Sequence, residues 1–149
     1  MNEFIQIAIE LAKKAQDLGE FPVGAVVINP DCVILGRGFN QKETTHDPTA
    51  HAEIVAIRDA VQVVGDWRLT DCILMTTLEP CPMCLGAILQ SRIKKIVYLA
   101  KDIRWGACGT VMDFSNHAQL NHRCQLEYCP HDEVVQMMRS FFKDQKKRG

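Results

Sequence analysis

The sequence predicts an α/β fold of three layers, α/β/α, with one mixed sheet between helices, and three observations predict it. Amphipathic stretches at helical spacing alternate with short apolar runs rich in β-branched residues. Their order is helix, hairpin, helix, strand, helix, strand, with a further strand and helix toward the end. No internal repeat or low-complexity linker interrupts them, and 149 residues with 47% hydrophobic content suit one domain, 1–149, with its own core.

Each element has a local reason. Phe4, Ala8, Leu11, Ala15 and Leu18 recur at helical spacing among charged residues, which predicts a helix over 3–18 ended at Gly19. "VGAVVIN" and "CVILGRGF", separated by "PD", read as antiparallel strands joined by a tight turn. "DPTAHAEIVAIRDAVQVV" opens with the helix-starting Asp47, Pro48 and Thr49, so His51 and Glu53 fall in the first turn of the helix. "DCILMTTL" has the composition of a strand covered on both faces. Pro82 suits a first helical turn, from which "MCLGAILQSRI" continues before the strand "KKIVYLA". From Asp102 to Cys124 there is little periodicity, which predicts mainly loop, and "DEVVQMMRSFF" makes a last helix running into the basic "KDQKKRG".

Composition narrows the function classes. A net charge of -1 shows no basic excess to advertise a nucleic-acid partner. No apolar run is long enough to span a membrane, and the acidic residues in the first twenty positions are unlike a signal peptide, so a cytoplasmic location without membrane attachment is expected. Seven cysteines in such a chain read as thiols or metal ligands rather than as a disulfide framework.

Two of them, Cys81 and Cys84 in "LEPCPMCLGA", form a CxxC pair. A structural zinc site commonly takes four protein ligands as two short pairs, whereas a catalytic one keeps three and leaves a place for water. Cys108, Cys124 and Cys129 supply no second CxxC. The chain offers His51 at the head of one helix and the cysteines at the head of another, where helix N-termini stabilise thiolates. Two thiolates and a neutral imidazole leave a zinc site formally uncharged, which favours a catalytic metal with an ionisable water. Residues two apart on a helix do not share a face, so Glu53 can join His51 only at the helix end. A carboxylate there can serve as general base and acid. A thioredoxin-like redox pair is the competing reading of CxxC, but its strand and helix order differs and it leaves His51 and Glu53 without a role. A purely structural zinc is the other.

His51-Ala52-Glu53 followed by Pro80-Cys81-Pro82-Met83-Cys84 is the H-x-E and P-C-x-x-C signature of zinc nucleobase deaminases. With "FPVGAVVI", "GRGFN", "TTLEPCPMC", "GAILQSRIKKIVYLAKD", "LNHR" and the terminal "FF", nearly the whole chain resembles the bacterial tRNA-specific adenosine deaminases. The resemblance implies a cytidine-deaminase-like fold with a five-stranded mixed sheet and a homodimer. It implies one Zn2+ per subunit on His51, Cys81 and Cys84, with Glu53 as the catalytic proton shuttle. The expected substrate is the anticodon stem-loop of a tRNA, whose wobble adenosine would be converted to inosine by a zinc-activated water. Asn40 then matches an asparagine reading the purine edge and Asp102 an aspartate near the target ribose; unaided, they read as a turn residue and a loop carboxylate. Phe142 and the basic residues after it resemble a segment lying against the anticodon arm, although such a pair of phenylalanines is more often core.

The resemblance breaks after Asp102, where the family often has lysine and then "GAAGS" and this chain reads "IRWGACGT". Arg104 keeps the positive charge, and Trp105 can stack on a base or pack on a neighbour. "DPTAHAE" and "PCPMC" also resemble bacterial guanine deaminase, so the metal motif alone leaves a small-molecule guanine or cytosine deaminase as an alternative. A non-catalytic zinc-containing binding subunit is a third reading, against which Glu53 counts.

Overall fold

The computed structural model describes residues 2–148, with side chains as far as Asp144. Helix α1 (Asn2–Asp17) leads into the hairpin β1 (Gly24–Ile28) and β2 (Ile34–Phe39). A short helix α2 (Lys42–Thr45) precedes α3 (Ala52–Val64), β3 (Ile73–Thr76), α4 (Pro82–Gln90), β4 (Lys95–Tyr98), β5 (Gln125–Tyr128) and α5 (Asp132–Arg148). The strands form one mixed sheet in the order β2-β1-β3-β4-β5, with β1 antiparallel to both its neighbours and β3, β4 and β5 parallel. The three-layer, five-stranded architecture is therefore the expected one.

Small residues set how closely the layers approach. On one face Ala52, Ala56 and Ala60 of α3 lie on β2, where a Cβ at Gly36 or Gly38 would run into the α3 backbone at Ala56 or Ala52. Gly24 of β1 has the same relation to Ala8 of α1. Since Ala25 pairs with Gly38, and Gly24 with Phe39, adjacent positions of β1 point to opposite layers. Val26, Ile28, Met75 and Val97 form the cluster under Phe4, Ile7 and Leu11 of α1, while Val27, Leu74 and Ile96 join the main core with Leu85 and Ile88 of α4. An ion pair of 2.7 Å from Lys13 to Glu133 ties α1 to α5.

Several boundaries differ from the sequence reading for identifiable reasons. The hairpin connection spans Asn29 to Val33 rather than two residues: Asn29 Oδ1 accepts the Asp31 and Val33 amides at 3.0 and 2.9 Å, and Cys32 adopts φ 61°. Helix α3 begins at Ala52, because Asp47 Oδ1 accepts the amide and hydroxyl of Thr49 at 2.8 and 2.7 Å, bending the chain into a turn instead of capping the helix. His51 is thus the N-cap residue and Glu53 lies in the first turn. The segment 102–124 is irregular as expected, and α5 continues as helix through the "KDQKKR" stretch. The basic side chains of 146–148 lie outside the described residues.

The carboxyl ends of β2, β3 and β4 and the amino end of β1 meet along one edge of the sheet. Replacing Gly38 with alanine should push α3 off β2 and lower unfolding free energy by about 3 kcal/mol in urea denaturation. Gly86→Ala, where nothing stands within 4 Å of the added carbon, should leave stability unchanged or raise it by up to about 1 kcal/mol.

Candidate metal centre and substrate cavity

Two helix N-termini converge at that edge. Cys81 is the N-cap of α4, with Pro82 opening the helix, and His51 is the N-cap of α3. Neither cap side chain turns back to its own helix. They face each other instead: His51 Nδ1 lies 3.6 Å from Cys81 Sγ and 3.5 Å from Cys84 Sγ. The ligand atoms of His51, Cys81 and Cys84 all fall within 4.8 Å of one another, and no other group of three or more His, Cys, Asp or Glu side chains among the described residues is arranged to hold a metal. Cys108 and Cys124 are buried elsewhere in the core and do not join this group.

The donor set fits zinc. Two sulfurs and one imidazole nitrogen, clustered with no fourth protein ligand, match the three-ligand arrangement of a catalytic site. Among the protein groups alone, the hydrogen bond with Cys84, and then that with His51, holds the Cys81 thiol down to about 4 against its burial. The shared contact with Cys81 and deep burial push Cys84 up, so the pair retains one proton that a bound dication would displace. The Cys81 contact also raises His51. Glu53 is 4% exposed, and burial together with the charge on Cys81 pushes its carboxyl up to about 7. A dication beside it would draw this value down, since it favours the carboxylate.

A cavity of about 620 Å³ opens over this centre, bordered by His51, Glu53 and Cys81 at its floor. Its walls bring in Asn40 and Asp102, together with Arg104, Trp105, Phe141 and Phe142. Asn40 follows β2, and its side-chain amide has no protein hydrogen bond among the described residues. Asp102 follows β4; its Oδ1 accepts the Arg104 and Trp105 amides at 2.9 and 3.2 Å, and the other oxygen takes no such bond. The Arg104 guanidinium sits 4.2 Å from the centre of the Phe142 ring, and Phe21 packs edge-on against Phe141 and Phe142. Phe142 is therefore both packed and at the cavity wall, while the Trp105 indole is 63% exposed at the rim.

Two buried carboxylates hold these walls, and sequence reasoning missed both. Glu20, 1% exposed, accepts the Glu43 and Thr44 amides at 3.0 and 2.6 Å and the Thr44 hydroxyl, fastening α2 beside the cavity. Glu79, 2% exposed, fastens the loop after Asp102. Their signal in the sequence is faint: a glutamate directly before Phe21, and another inside "LEPC" where a strand should be giving way to a helix.

The fold and the site together define a zinc-dependent hydrolytic deaminase of the nucleobase type. Residues 1–100 match the model of the cytidine and deoxycytidylate deaminase zinc-binding region, and the chain belongs to that family. It is 42% identical over 148 residues to a tRNA-specific adenosine deaminase of Haemophilus influenzae, covering 99% of this chain and 84% of the relative. A tRNA-specific adenosine deaminase of Bacillus subtilis is 40% identical, over 97% of this chain and 90% of the relative. Among solved structures, one from a study of A-to-I editing by tRNA:A34 deaminases superimposes with a TM-score of 0.81 at 35% identity, over 85% of this chain and 97% of that one. A guanine deaminase of Bacillus subtilis superimposes with a TM-score of 0.64 at 33% identity, over 95% and 93%.

Cys81→Ala and Cys84→Ala should each leave purified protein with well under one zinc per chain and a lowered Tm, whereas Glu53→Ala should keep a full equivalent by metal analysis. For Glu20, burial raises the carboxyl but the Thr44 hydroxyl and the Glu43 and Thr44 amides outweigh it, so the folded value lies below the ordinary 4.5. Its stabilisation is complete above pH 4.5 and fades as pH falls through the folded value. Acid titration of stability should therefore be flatter below pH 4.5 in Glu20→Gln than in the unaltered protein.

Proposed function

We propose that the protein hydrolyses the wobble adenosine of a tRNA anticodon to inosine, releasing ammonia. The observation that carries the substrate assignment is its similarity to tRNA-specific adenosine deaminases along almost its entire length. The cavity agrees: about 620 Å³ lies in the range of about 300–1,000 Å³ typical of ligand pockets, and it is open to solvent on one side.

His51, Cys81 and Cys84 hold the zinc. When bound, the ion polarises a water molecule so that it ionises near neutral pH. Glu53, buried beside the ligands, takes the proton released as water oxygen bonds to C6 of the extruded base and gives it to ring N1, then takes the remaining proton of the C6 hydroxyl and passes it to the departing amine. The C6–N6 bond breaks as the C6–O bond becomes a carbonyl. Asn40, whose amide is free to face the purine, reads the base edge, and Asp102 is set at the wall for the attached ribose. Phe142 is held in place by Arg104 and presents part of an aromatic wall to the anticodon arm.

The protein works in the cytoplasm as a homodimer in this reading. A groove beside α4 lined by Leu89, Phe114 and Leu120, with Leu120 40% exposed, offers a face that a second copy would cover. No helix of the described residues is long and apolar enough to cross a membrane.

The test is a substrate panel for the zinc-loaded protein: tRNA transcripts and anticodon stem-loops with wobble adenosine, beside free adenosine, guanine and cytosine. Inosine should form in the RNA, and Glu53→Gln should lower the rate at least about a hundredfold at unchanged zinc content. Ammonia from guanine without inosine in any RNA would assign the chain to guanine deamination, the chemistry of the B. subtilis structural neighbour.

A further inference from the structure

Glu79 stands two residues ahead of the metal ligand Cys81 and is almost fully buried, yet no cation pairs with it among the described residues. A carboxylate so placed must be met by hydrogen bonds. All of its donors come from one loop. Oε1 accepts the Asp102 amide at 3.1 Å and the Thr110 hydroxyl, and Oε2 accepts the Cys108 and Thr110 amides at 2.9 and 3.1 Å. The loop is wrapped round the carboxylate: a Cβ on Gly106 would stand 2.5 Å from Glu79 Cδ and 2.5 Å from the Asp102 carbonyl oxygen. Two backbone bonds reinforce the join, from the Glu79 amide to the Ala100 carbonyl and from the Ala107 amide to the Pro80 carbonyl, each 2.9 Å.

The same loop carries Asp102, Arg104 and Trp105 to the cavity wall. One side chain thus fixes their register against the strand end that carries Cys81. We propose that Glu79 is a positioning residue for the substrate, acting through Asp102: it holds the loop so that Asp102 stands at the distance from the metal ligands that the nucleotide requires. This rests on the deaminase reading above and adds a residue that borders the cavity but spends its carboxylate on the loop.

Glu79→Gln keeps the shape but turns an N–H toward two of the donors, and Thr110→Val is a milder variant that removes only the hydroxyl. Both should retain one zinc per chain. With an anticodon stem-loop carrying wobble adenosine, Glu79→Gln should lower kcat/KM by about tenfold to a hundredfold and Thr110→Val by less. In an Asp102→Ala background, adding Glu79→Gln should cost less than about threefold more, since both changes remove one function. A merely structural role would make the two losses multiply, and that result, or loss of zinc, would overturn the proposal. Hydrogen exchange gives a readout independent of turnover. The Asp102, Cys108 and Thr110 amides should exchange faster in Glu79→Gln while those of Leu74 and Val97 in the sheet do not change. Unchanged exchange in 102–110 would overturn the proposal even if activity fell. Faster exchange in a protein inactive on RNA would instead count against the substrate assignment and leave the loop clasp standing.

Discussion

The seating of α3 on the backbone of β2 is the contact on which the rest of the site depends. His51 and Cys84 are 33 residues apart in sequence, and no local geometry brings them together. Gly36 and Gly38 leave room for the α3 backbone to lie on the strand, and Ala52, Ala56 and Ala60 keep the facing side chains small. That close approach carries the start of α3 to the edge where β3 runs into α4. A bulkier pair of residues in "GRGF" would lift the helix and with it the imidazole, leaving two cysteines without their third partner.

Electrostatics then decide what the edge can hold. Both helices present their positive ends to one point, which favours thiolate at Cys81 and, beside it, an ionised Glu53. Burial opposes that ionisation, and a carboxyl so balanced can take and return a proton within one turnover. Farther out, Glu20 and Glu79 are negative charges neutralised by amides and hydroxyls rather than by lysine or arginine. Amides belong to the backbone, so each of these acids fixes chain path where an ion pair would fix only a side-chain tip. The two walls of the cavity are accordingly tied to the backbone, with the cationic and aromatic groups Arg104, Phe142 and Trp105 lining the space between them.

Much of this was legible in the sequence because the relevant signals are local. Periodicity and apolar runs located the long helices and the first four strands, with β5 expected only as a further strand without bounds, and the pairing of H-x-E with P-C-x-x-C singled out His51, Glu53, Cys81 and Cys84. The start of α3 was misplaced because Asp47 has a cap's chemistry but uses its oxygen on Thr49. Helix α2 escaped notice, being four residues stabilised by a glutamate more than twenty positions away. Glu79 was invisible as a functional residue for the same reason: its partners lie 23 to 31 positions downstream in a stretch without periodicity. Cys81 and Cys84, open in sequence to a redox couple, a zinc knot or a catalytic site, both face the His51 imidazole, an arrangement that suits a metal centre better than a redox couple.

The central claim is a zinc ion held by three protein ligands with a fourth place left for water beside Glu53. X-ray absorption at the zinc edge tests it most directly. The account predicts two sulfurs at about 2.3 Å, one imidazole nitrogen and one further light atom at about 2.0 Å, with the light atom exchangeable for a small anion. A shell of four protein ligands closed to exchange, as in a structural zinc site, would contradict it.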